Sequence, residues 1–397
     1  MVTMDRQRLR SLATLTDEVA VVSVYVGADL PVANPTVQPA QIRLDRDLAA
    51  VERGVQQASR RTLNGSLAAR LADVEAEMAR LYISSDGLGR ALFAPMSGGE
   101  MHVLTVQHAL PNEVVLQPTA YIRPLVAAWS QDGATGVAVV SAAGIRLIDL
   151  RLGETEPVAE LEFTDEADRR LLLGPAASGY ASSGFGQSYE AVSQTDLYQR
   201  RARDRVRRFL TGVGPRISVT AAKRDWDLLA ISGDAELVAA VADGLPAKWP
   251  VTVVRLPYEL AEASPARVAA AVRDDIAAAR RDRAHDLADQ IRDAALAGGT
   301  GALGLGETLG ALQEGRVAHL VLDESRSWSA SQAPDGYLVP EGEVPPWATP
   351  ESLRPEPNVD ERMVELAYNT GAEVTLAPPA AVEALADAGG IGARLRW

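Results

Sequence analysis

Residues 363–397 narrow the folds open to this chain more than any other stretch. A helix-like run, Met363-Val364-Glu365-Leu366-Ala367, leads through Tyr368-Asn369-Thr370-Gly371-Ala372 into an apolar strand, Glu373-Val374-Thr375-Leu376. A short helix is predicted over 380–388, and Gly389-Gly390 precedes a closing segment, Ile391-Gly392-Ala393-Arg394-Leu395-Arg396-Trp397. Gly371 suits a left-handed helix stop, and the Gly-Gly step suits a tight turn. The closing segment alternates, with Ile391, Ala393, Leu395 and Trp397 on one face and Arg394 and Arg396 on the other. Helix, strand, helix, strand in this succession predicts a sheet covered by helices.

The rest of the chain repeats this alternation. Val19–Gly27 reads as a buried strand, 38–62 and 66–81 as helices, and 90–93 with 101–106 as strands paired around Ser97-Gly98-Gly99. Pro111 and Pro118 mark a boundary, which gives a first α/β domain over 1–117. In 118–262, the stretch 121–129 comes first, and strands are predicted at 136–141, 145–150, 154–163, 226–233 and 252–256. The same segment holds a Gly/Ser/Ala-rich loop over 174–195 and a charged helix over 196–210. In 263–397, a helix over 264–297 has Pro265 in its first turn. A short helix (305–314) and a strand (317–323) follow it, and then a Pro/Ser/Gly-rich exposed insertion over 325–357. The expected fold is α/β in three domains, each a mixed sheet with flanking helices.

Composition excludes several classes. The chain has 397 residues, 47% hydrophobic and 23% charged, which suits globular domains. No apolar run approaches the length of a membrane span. Met1–Leu15 carries Asp5, Arg6, Arg8 and Arg10 and no apolar core, so export is not expected and the cytoplasm is. Without cysteine there is no disulfide, thiol nucleophile or thiolate zinc site. The four histidines (His102, His108, His285, His319) have no ligand spacing, so no metal or other cofactor is expected. His319, in an apolar strand, reads as structural. A Gly-x-x-x-x-Gly-Lys-Ser/Thr loop and a Gly-x-Ser-x-Gly elbow are both missing. A net charge of −14 opposes uniform attraction to nucleic acid, so an RNA contact needs a local patch.

The phrases "ELA…TGAEV" and "GGIGARLRW" resemble the end of the C-terminal domain of archaeal and eukaryotic class-I peptide-chain release factors, a domain shared with Pelota-type factors. Gly304-Leu305-Gly306-Glu307-Thr308-Leu309-Gly310-Ala311-Leu312, followed by Gly315-Arg316-Val317-Ala318-His319-Leu320, is similar to the same domain, and the resemblance covers about 264–397. It implies an α/β/α sandwich there. In that family the middle domain presents a Gly-Gly-Gln loop to the peptidyl-transferase centre, just ahead of a basic helix. Here Gly184-Phe185-Gly186-Gln187-Ser188 stands in that place, with Phe185 where the first Gly of the pair belongs. A Cβ at that position restricts positive φ and puts ester hydrolysis by Gln187 in doubt. The decoding motifs of release factors, Asn-Ile-Lys-Ser and Tyr-x-Cys, are missing as well. This points to bacterial relatives that act without reading stop codons.

Between Arg200 and Arg224 there are nine Lys/Arg against one acid, Asp204. Helical spacing puts Arg200, Arg203 and Arg207 on one stripe and Arg201, Arg205 and Arg208 on the next. Such runs often line a solvated helix face. Following a polar Gly/Ser loop, this one is read as an RNA contact. The resemblance then implies a monomeric ribosome-binding translation factor, acting in ribosome rescue or hibernation. Its partners would be ribosomal RNA, peptidyl-tRNA and an elongation-factor-like GTPase. The alternatives are a peptidyl-tRNA hydrolase using the Gly-Phe-Gly-Gln loop, and a non-ribosomal RNA-binding or interaction module that shares the fold.

Overall fold

The computed structural model describes residues 4–27, 39–58, 65–84, 87–163, 201 and 203–397. They form two compact units, one made of 1–132 with 278–397 and the other of 133–277.

The first unit begins with a four-stranded antiparallel sheet. Its strands are β1 (Thr16–Gly27), β2 (Gly89–Pro95), β3 (His102–Val106) and β4 (Glu113–Thr119), in the order β3-β2-β1-β4. β4 crosses the boundary expected at 117, because Pro118 sits near the end of a strand, where a missing N–H costs little. β1 is buried on both faces, as its β-branched run requires. Val22, Val24 and Val26 pack with Val51, Val55, Val74 and Met78 of the helices Pro39–Ala58 and Gly65–Ile83. On the opposite face Tyr25 meets Phe93 edge-on at 5.8 Å, and its hydroxyl donates to the Tyr121 carbonyl.

The second unit holds β5 (Thr135–Ser141), β6 (Gly144–Arg151), β7 (Glu154–Glu162), β8 (Leu228–Ser232) and β9 (Thr252–Leu256) in the order β7-β6-β5-β8-β9. β5, β6 and β7 pair antiparallel, whereas β5-β8 and β8-β9 are parallel, so this sheet is mixed. The parallel strands are nearly continuous apolar runs, as burial under helices demands.

Returning to the first unit, β10 (Gly301–Leu303), β11 (Val317–Asp323), β15 (Glu373–Ala377) and β16 (Ile391–Leu395) form a sheet ordered β10-β16-β11-β15. β11 and β15 run parallel, while β16 is antiparallel to β10 and β11. On one face Ala284, Ala288 and Ile291 of the helix Pro265–Leu296 pack with Val321, Ala377 and Leu385. The helices Gly304–Gln313 and Val359–Asn369 pack against the other side, giving three layers, α/β/α.

Details of the chain end depart from the alternation read in the sequence. Residues 380–388 form short 3₁₀ turns (Pro379–Ala381 and Glu383–Ala388) in place of one helix. β16 stops at Leu395, and Trp397 lies outside the core at 67% exposure. Arg396 bends back to donate to the carbonyls of Gly315 (2.9 Å) and Thr370 (2.6 Å), each just past a helix end where carbonyls lack intrahelical partners. Gly371 (φ +74°) and Gly389-Gly390 (φ +74° and +75°) adopt the left-handed conformation expected of them. The segment 325–357, expected as an exposed insertion, contains a small sheet, β12 (Ala330–Gln332), β13 (Leu338–Pro340) and β14 (Arg354–Glu356), ordered β13-β12-β14. The side-chain amide of Gln313 pairs with both backbone groups of Leu338, at 3.0 and 2.6 Å, and fastens that sheet to the helix Gly304–Gln313. No helix of the described residues is long and apolar enough to cross a membrane.

Candidate functional site

The arginine-rich run occupies the helical residues 203–212 of the second unit. Its apolar side chains recur at helical spacing. Val206 and Leu210 are both at most 1% exposed, and they set the helix's inward face. Arg201, Arg203, Arg205, Arg207 and Arg208 are left exposed by the same periodicity.

The two stripes expected from sequence have different surroundings. Arg203 and Arg207 line a groove of about 850 Å³ together with Asp204, Asp234, Glu236 and Leu237. Arg207 lies 3.8 Å from Asp243, with both side chains more than half exposed, so this pair contributes little. The groove's two arginines face three carboxylates, which leaves it without a net attraction for anions. Arg201, Arg205 and Arg208 do not line it. Arg208 donates to the Asp204 carbonyl (3.3 Å) and remains exposed. Arg201, Arg205 and Arg208 thus form an exposed stripe outside the groove.

A buried polar cluster, not singled out in the sequence, lies beneath the sheet of this unit. Asp149 on β6 is 3% exposed and accepts the indole N–H of Trp226. It also faces the Arg151 guanidinium at 3.4 Å and that of Arg224 at 3.7 Å. Arg151 donates to the Arg224 carbonyl at 2.6 Å, and Arg224 holds Glu156 through two bonds of 2.6 and 3.1 Å. Burial raises the Asp149 carboxyl, while the indole and the two guanidinium groups pull it back down. The hydrogen bond from Arg224 holds Glu156 below its usual range. Trp226 fits because Gly136 on β5 has no side chain: a Cβ there would stand 2.3 Å from the indole ring. The signals in sequence were a lone Gly in an apolar strand and an Asp amid Ile145–Leu150, but nothing in the spacing joined them to Trp226. This cluster braces the sheet and offers no open substrate position.

Gly184, Phe185, Gly186, Gln187, Ser188 and Arg200 lie outside the described residues. Among the described residues, no group of three or more His, Asp or Glu side chains is placed to hold a metal. His319 is buried, 2.8 Å from the Thr375 hydroxyl, as a structural histidine would be.

Comparison with known proteins places the chain near one family. Residues 121–279 match the family model described as bacterial archaeo-eukaryotic release factor family 10, so the resemblance to bacterial relatives of the release factors holds over that span. Three solved structures match the chain at low identity. The archaeal translation termination factor aRF1 is 16% identical, covering 100% of this chain and 99% of that chain, with a TM-score of 0.23. Archaeoglobus fulgidus Pelota is 12% identical, covering 100% and 94%, with a TM-score of 0.31. S. cerevisiae Dom34, described as a translation termination-like factor involved in RNA quality control pathways and interacting with Hbs1, is 9% identical, covering 75% and 73%, with a TM-score of 0.36. No curated protein matches the chain.

Proposed function

We propose that this protein is a ribosome-binding translation factor that acts without reading stop codons, in ribosome rescue or hibernation. Its arginine helix would lie against ribosomal RNA. The observation that carries this reading is the coincidence of two features in one span of the chain. Residues 121–279 match a release-factor family, and within them a net-acidic chain exposes Arg201, Arg205 and Arg208 on a helix whose opposite face is locked into the core. Exposed arginines on a rigid support suit phosphates, which accept their fork of donors in two-point contacts.

The segments 1–117, 118–262 and 263–397 are the proposed working parts. The middle one carries the Gly184–Ser188 loop toward the peptidyl-tRNA, and an elongation-factor-like GTPase is the proposed delivery partner. With Phe185 in place of a glycine, occupancy of the ribosome is favoured over hydrolysis, and no cofactor is required. The test is direct. Arg201→Glu with Arg205→Glu is expected to weaken binding to vacant ribosomes by about tenfold or more, because two phosphate contacts become repulsions. An unchanged affinity would remove the helix from the interface. In parallel, Gln187→Ala is expected to leave stalled-ribosome binding intact and to reveal no lost esterase activity.

A further inference from the structure

The insertion 325–357 builds a surface that neither the family match nor the arginine helix accounts for. Trp347 is 61% exposed and Val344 43% exposed, three residues apart in the chain. Their setting is rigid. Trp347 meets Tyr337 edge-on at 5.5 Å and 77°, and Tyr337 sits in a turn closed by Ala333 N–H to the Tyr337 carbonyl (2.8 Å). Asp335 accepts the Tyr337 N–H at 3.1 Å, and Gln313 pins the neighbouring Leu338.

The helix Gly304–Gln313 supplies a shallow floor. At Gly310 a Cβ would stand 3.7 Å from the Tyr337 hydroxyl, and at Gly306, one turn earlier, 3.5 Å from Pro340 and 3.8 Å from the Glu343 carboxylate. The aromatic pair and Glu343 therefore flank the same helix face about one turn apart. Glu341, Glu343 and Glu351 are exposed and form no ion pair or side-chain hydrogen bond among the described residues. Across 330–357 five acids (Asp335, Glu341, Glu343, Glu351, Glu356) face one base, Arg354.

We propose that the face built on Trp347, Tyr337 and Glu343 binds a lysine- and arginine-rich peptide segment of a partner protein. An exposed indole attracts a guanidinium or ammonium over its ring, and unpaired carboxylates a helical turn away receive the next cation. A nucleic acid stacking its bases on the same Trp would bring its phosphates against the acids, so nucleic acid is disfavoured here. This surface is independent of the arginine helix and of the ribosome reading.

The experiment uses the full chain and a short fluorescein-labelled peptide of alternating arginine and serine, followed by anisotropy. Trp347→Ala is expected to weaken binding roughly three- to fivefold, with Trp347→Phe keeping most of the affinity. Glu341→Lys with Glu343→Lys is expected to weaken it by about tenfold or more. Glu383→Lys with Asp387→Lys, exposed acids elsewhere on the C-terminal part, makes the same change in net charge and should leave affinity within about twofold. All four positions besides Trp347 are exposed, and thermal midpoints of the same samples verify folding. Equal losses in both double variants would reduce the effect to bulk charge and overturn the proposal. Trp347-dependent binding of a uridine oligonucleotide, or a Trp347-dependent dimer with no peptide binding, would overturn it as well.

Discussion

Glu361 and His319, both buried in the first unit, carry opposite pH dependences. Glu361 is 2% exposed, its oxygens accepting the backbone N–H groups of Ile122 (2.8 Å) and Arg123 (3.2 Å). Burial pushes its carboxyl up to about 7. Raised above the unfolded value, it contributes stability at acid pH that is lost as pH rises through about 7. Burial pushes His319 the other way, down to about 4, even though Glu373 stands 3.4 Å away. At neutral pH that contact is therefore one between a neutral imidazole and a carboxylate. Glu373 is itself desolvated, yet Arg6, bonded at 2.9 Å, and His319 hold it below its usual range. The His319 contribution is present above the unfolded histidine value and lost as pH falls through about 4. The two trends offset each other over much of the acid range, so stability of the unmutated protein should change little between about pH 5 and 6.5. Glu361→Gln should leave a rise of stability with pH across that window, and His319→Phe a fall, each by up to about 2 kcal/mol in urea titrations. A flat profile for both variants would contradict the burial argument. Only part of this was legible in sequence: His319 reads as structural from its apolar strand, but nothing in the spacing around Glu361, in the first turn of a helix, marks it as buried.

Secondary-structure elements were read more reliably where periodicity and punctuation agreed. β1, the β5–β6 hairpin, β8, the long helix and β11 follow from β-branched runs, a Gly turn and an alanine-filled apolar stripe. β4 was missed because Pro118 argued against a strand, and the helix Arg123–Asp132 was left unassigned because its apolar run is too short to separate helix from strand. The small sheet β12–β14 was missed because three-residue strands leave no period to detect. The arginine helix shows the opposite case. Its two cationic stripes were visible in the spacing, but only tertiary structure reveals that one lines a groove with Asp234 and Glu236 while the other does not. In the same unit, Asp149 links β6 to Trp226. Asp149→Ala would leave a buried indole N–H without that acceptor and would remove a carboxylate 3.4 Å from Arg151. A loss of about 3 kcal/mol or more is expected by chemical denaturation. A loss below about 1 kcal/mol would mean the cluster is solvated and not structural.

At the scale of the molecule, sequence phrases and family match fall on different segments. The phrases that carried the resemblance lie mainly in 264–397, whereas the family model covers 121–279, and the two together reach most of the chain beyond the first sheet. The α/β/α layering of the C-terminal part is what the resemblance implied, and the alternation in its sequence is compatible with it. The loop from Gly184 to Ser188, which bears the question of hydrolysis, lies outside the described residues. The central claim is that a protein of net charge −14 binds ribosomes through one cationic helix. The most direct test is co-sedimentation of the purified chain with vacant bacterial ribosomes across a salt series from about 50 to 200 mM. The account predicts stoichiometric binding that weakens steadily with salt, and a shallower salt slope when Arg201 and Arg205 are replaced by Glu. Absence of binding at low salt, or binding with the same slope in both proteins, would contradict it.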